Sequence, residues 1–109
     1  MLKPTEYLLD HPEKLAHLPP LYATEKQEIE EHILAMRFYH PLSRTNWYAV
    51  EYDLGEKIIF GWVDGPCPEW GYSSLLEMAF TKVRGVPVMW DEDFKPVCFL
   101  DLPREDDGG

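Results

Sequence analysis

Between residues 33 and 64 the chain carries three consecutive segments, ILAMRFYH (33–40), NWYAVEYD (46–53) and KIIFGWVD (57–64), each dense in aromatic and β-branched side chains. Such residues lose rotamer freedom in a helix and pack well on a pleated surface, so all three read as strands. The connections between them are too short for the crossover that a parallel pair requires. The segments must therefore run antiparallel, as a meander over 33–64. In the first, Leu34, Met36 and Phe38 share a face. In the second, Tyr48, Val50 and Tyr52 stand opposite Trp47, Ala49, Glu51 and Asp53. The third is apolar on both faces, which predicts a central position in the sheet. Asp53-Leu54-Gly55-Glu56 reads as the hairpin turn, with Gly55 free to take positive φ.

The flanks supply shorter elements. Asp10-His11-Pro12-Glu13 reads as a helix start, with Asp10 as cap, and Pro19-Pro20 ends that helix. With another turn over Thr5 to Leu9, residues 1–17 are expected to form a helical extension. GPCPEWGY (65–72) reads as a loop. A helix is expected over about 74–84, capped by Ser74 with Glu77 completing a capping box. Its buried stripe would be Leu76, Ala79, Phe80 and Val83, and Gly85 would end it. VPVMW (86–90) reads as a strand placed at a sheet edge by Pro87, and KPVCFLDL (95–102) as a last strand. Residues 103–109 lack apolar anchors and are expected to fray. The fold class is α+β: one domain over 1–109, an antiparallel sheet of four or five strands, short N-terminal helices and one later helix.

Charge narrows the partners. The formal net charge is -10, and it is uneven. Residues 24–32 hold four acids and one base, and residues 91–109 hold seven acids and two bases, leaving -2 for the rest. With no focused basic patch, direct nucleic-acid binding is not expected, and a protein partner is. No apolar run reaches the length of a membrane span and no secretory signal opens the chain, so a cytoplasmic location is expected. Cys67 and Cys98 are the only cysteines and are expected to be free thiols.

Motifs for chemistry are sparse. His11, His17, His32 and His40 have no ligand spacing among them, so neither a metal nor another cofactor is expected. Cys67 and Ser73-Ser74 have no base nearby in sequence, and Gly-x-Ser-x-Gly is absent. Glu51, Asp64 and Glu69 are the carboxylates with a case for acid–base chemistry in a small hydrolase-like enzyme. The stronger reading is that Asp64 is a strand-end residue and Glu51 a solvated one. The aromatic side chains serve either as packing or as a binding patch. Trp47, Glu69, Trp70, Tyr72 and Trp90, with the acids Asp91, Glu92 and Asp93, form the candidate binding set. Trp70 is expected to fold back against the sheet.

Several short motifs point the same way: Leu18-Pro-Pro-Leu-Tyr22, Asn46-Trp47-Tyr48 with Glu51-Tyr52-Asp53, Phe60-Gly61, Val63-Asp64-Gly65, Pro68-Glu69-Trp70-Gly71-Tyr72 with Ser74-Leu75, and Phe94-Lys95-Pro96. In order and spacing they resemble the domain-of-unknown-function family 2958, over about residues 18–102. The resemblance implies a small protein of plasmids and other mobile elements with no established activity. The combined expectation is a non-enzymatic interaction protein of a mobile element. One form of that role would be to act against host defence by presenting clustered carboxylates to a basic nucleic-acid-binding site. A generic binding module is the favoured form, since an acidic balance is common among soluble proteins.

Overall fold

A computed structural model describes residues 1–102; the expected frayed tail, 103–109, lies outside them. Ten strands and one α-helix follow one another as β1 (Leu2–Pro4), β2 (Ile33–Leu34), β3 (Met36–His40), β4 (Thr45–Asp53), β5 (Ile58–Asp64), β6 (Glu69–Ser74), α1 (Leu75–Phe80), β7 (Lys82–Val83), β8 (Val86–Pro87), β9 (Met89–Asp91) and β10 (Val97–Cys98). The main sheet has six strands in the order β1-β9-β3-β4-β5-β6, every neighbouring pair antiparallel. Two further pairs, β10-β2 and β7-β8, stand outside it. The meander is thus present, in a larger sheet than four or five strands.

Several local expectations give way to packing. Residues 69–74 are a strand, not a loop, because Pro66 and Pro68 lie upstream of it and Gly71 pairs with Gly61 of β5. β9 is internal, between β1 and β3; Pro87 sits in the small β7-β8 hairpin, where it interrupts no central ladder. β5 is internal but second from the edge, and β4 is the most buried strand. Only Val97–Cys98 of the expected last strand pairs. In the β4-β5 turn the positive φ falls on Lys57 (58°), not on Gly55. The 1–17 segment is a strand followed by two 3-10 turns, and the second has His11, not Asp10, at its cap position.

Both faces of the sheet are covered. One carries the main core of Leu8, Leu15, Leu18, Met36, Phe38, Ala49, Tyr52, Ile59, Leu75, Met78, Val88 and Trp90. The other carries Leu34, Tyr48, Val50 and Leu102, with Phe60, Trp62, Trp70, Phe94, Val97 and Phe99 packed on them. A β-bulge between Ala49 and Glu51 decides which residue goes where. Val50 and Glu51 follow one another on the second face, so Tyr52 joins the first. Simple alternation would have placed Glu51 and Tyr52 the other way round. The close approach at the bulge also demands Gly61, since a Cβ there would lie 1.7 Å from the Tyr48 carbonyl oxygen.

Candidate interaction site

The bulge aims Glu51 at the chain segment lying over the second face. Its side chain is 2% exposed. Oε1 accepts from the Tyr22 backbone N–H at 2.8 Å, and Oε2 from the Thr24 N–H at 2.8 Å and from the Thr24 hydroxyl. A buried carboxylate is tolerated when its oxygens are satisfied in this way. Three donors thus hold its two oxygens, and Glu51 does not face water.

The residue it positions is unusual. Tyr22 has φ of 70°, a left-handed conformation that is unfavourable for a bulky side chain. It is nonetheless 60% exposed. Its ring tilts at 55° to that of Tyr72, with centroids 6.4 Å apart. Tyr72, on β6, is 55% exposed and also touches Phe60. Its phenol is pushed above 10.0 by partial desolvation first, then by Tyr22, Glu51 and Glu25 beside it. A strained backbone, clamped by a buried charge, therefore holds two tyrosines in the open next to a sheet edge.

Behind this pair the three tryptophans of the candidate set, Trp47, Trp70 and Trp90, pack against other side chains. Trp70 is half-buried against His32, Phe60, Trp62 and Phe99. Trp90 is buried in the main core beside Tyr7, and Trp47 packs at the edge of that core. The acids after Trp90 are each held by a cation. Asp91 meets Arg37 at 2.9 Å, Glu92 meets Lys3 at 3.1 Å, and Asp93 meets the Met1 amine. Arg37 is fixed in turn by Asn46 at 2.7 Å. These side chains close the β1-β9-β3 side of the sheet.

The carboxylates proposed for catalysis do not converge. Asp64 pairs across β4-β5 with Asn46, whereas Glu69 pairs with Val63, which puts them on opposite faces. Neither lines the cleft of about 600 Å³ between the first face and α1, bordered by His40, Trp47, Ser73, Glu77 and Met78. His40, the one imidazole in that cleft, has both ring nitrogens occupied. Nδ1 accepts from the Ser43 N–H at 3.1 Å and Nε2–H donates to the Val86 carbonyl at 2.9 Å. Cys67 and Cys98 are free thiols. Among the described residues no three metal-binding side chains cluster, and no helix is long and apolar enough to cross a membrane.

From sequence, Tyr72 and Glu51 are candidates and Tyr22 is not, yet the structure brings Tyr22 into contact with both, and it buries Glu51, which in sequence reads as solvated. The sequence signal for Tyr22 was the Pro19-Pro20-Leu21-Tyr22 run, which reads only as a helix end until the clamp is seen. Against known families, the family model described as Protein of unknown function (DUF2958) matches residues 11–102. No curated protein and no solved structure matches the chain.

Proposed function

The chain belongs to the family of proteins of unknown function DUF2958, and we propose that within it this protein is a non-enzymatic protein-interaction module whose contact surface is the Tyr22–Tyr72 pair beside β6. The observation that carries this reading is Tyr22 held exposed at φ 70° by a buried carboxylate. Strain of that kind persists only where the surroundings over-determine it, and it clusters at binding and switch sites. Tyrosines held in advance cost little further ordering on binding and are favoured at interface centres. The partner is a protein with a basic surface, in keeping with the net charge of -10.

The resemblance to mobile-element proteins adds a host defence protein as the class of partner. Its basic nucleic-acid-binding site would be met by the acids of 24–32 rather than by Asp91, Glu92 and Asp93, which have cations of their own. A hydrolase built on Glu51, Asp64 and Glu69 is disfavoured by their separation. Affinity capture from the source cells, with wild type beside Tyr72→Ala and Tyr22→Ala, tests the proposal. It expects one stoichiometric partner that both substitutions release while the melting temperature holds. A partner retained equally by all three proteins would place the surface elsewhere.

A further inference from the structure

We infer that the free edge of β6 is a strand-addition site that takes an extended basic peptide of the partner as a seventh strand, an inference that rests on the interaction reading above. β6 ends the six-strand order. Leu75 N–H donates to the Lys57 carbonyl, and hydrogen-bonded pairs alternate along an antiparallel ladder. Residues 71 and 73 therefore bond to β5, and Trp70 and Tyr72 turn their N–H and C=O groups outward, where no strand among the described residues follows. An edge left this way templates another chain unless it is blunted. The opposite edge is blunted: β1 has three residues, among them Lys3 and Pro4. β6 has six, with no lysine, no proline and no bulge.

Charge selects the occupant. Residues 64–81 contain Asp64, Glu69 and Glu77 and no lysine or arginine. The 24–32 segment, which reaches β6 through the contact of His32 with Trp70, adds a net -3. A second copy of this chain would bring the same acids into the seam, whereas a basic peptide neutralises them. The period of two then divides the peptide's side chains. One set lies beside Trp70, Tyr72 and Tyr22, where lysine or arginine meets aromatic faces. The other lies beside Gly71, at which a Cβ would meet nothing within 4 Å, and Ser73, which suits β-branched residues.

A displayed library of random ten-residue peptides, selected on the whole protein and on Tyr72→Pro, is the test. Proline at 72 breaks no bond to β5, since that N–H points outward, but it blocks an added strand. Wild type should enrich proline-poor peptides of net positive charge, and Tyr72→Pro should bind them at least about tenfold more weakly. With the best peptide bound, amide exchange at Trp70 and Tyr72 should slow at least about tenfold, while Gly71 and Ser73 stay as they were. Glu69→Lys with Glu77→Lys leaves the backbone intact and should weaken the same peptide even if Tyr72→Pro does not fold. Acidic peptides in the selected pool, or exchange protection away from β6, would overturn the inference. So would edge amides already protected in the protein alone together with a dimeric mass, which would make a second copy the occupant. An empty selection alongside a partner still captured through Tyr22 and Tyr72 would defeat the strand-addition site and leave the interaction reading standing.

Discussion

Glu51 shows how one backbone irregularity converts a side chain from a surface group into a clamp. The bulge turns it onto the second face, where burial makes its hydrogen bonds to Tyr22 and Thr24 obligatory. Glu51→Ala would leave two backbone donors without their acceptor and should cost about 3 kcal/mol in urea melts. The Tyr22 segment should gain mobility with it, read as faster amide exchange at Tyr22 and Thr24. An unchanged stability would mean that the clamp is idle. Tyr52 supplies a second residue-scale expectation. Burial first, and Asp53 second, raise its phenol above 10.0 in the folded chain. A group whose folded value is raised contributes stability below its unfolded value and loses it as pH climbs through the folded one. Stability should therefore fall as pH rises past 10.0, and less steeply in Tyr52→Phe. Equal slopes for the two proteins would assign the loss to other groups.

At the scale of elements, α1 departs most from its sequence reading. Ser74 does cap it, accepting from the Glu77 N–H at 3.2 Å. The helix stops at Phe80, however, and buries Leu75, Met78 and Ala79. Phe80 is 63% exposed, and Leu76 and Val83 are exposed too. Five apolar residues in the six of LLEMAF satisfy the helical period in more than one phase. Which phase faces inward is settled by the N-terminal 3-10 turn packed on it. Ser74→Ala should cost about 1 kcal/mol and Met78→Ala about 2–5 kcal/mol. Phe80→Ala should stay within about 0.5 kcal/mol, as exposed substitutions do. A loss at Phe80 matching that at Met78 would restore the other phase.

For the whole molecule, the decisive feature is that residues 1–17 are not an appendage. Leu8 and Leu15 lie in the main core, and Thr5 bonds to the Val88 carbonyl through both its N–H and its hydroxyl. β1 closes the sheet beside β9. Leu8→Ala should thus destabilise the entire fold by about 2–5 kcal/mol in one cooperative transition, with fluorescence and far-UV dichroism coincident. A separate early transition would show the N-terminal segment folding independently.

The amino-acid sequence by itself determined the antiparallel meander, the α+β class and the Ser74 cap. These follow from period, short connections and residue chemistry within a few positions of one another. Tertiary structure alone decided that 69–74 pairs as the edge strand, that β9 lies inside the sheet and that α1 turns Met78 inward. It alone also decided that Glu51 holds Tyr22. Each of these depends on groups far apart in the chain. Glycine and proline in 65–72 read as a loop until β5 offers Gly61 as a partner. A carboxylate on a strand reads as solvated until a bulge and a distant segment enclose it. Local pattern specifies which conformations are cheap, and burial against remote neighbours selects among them.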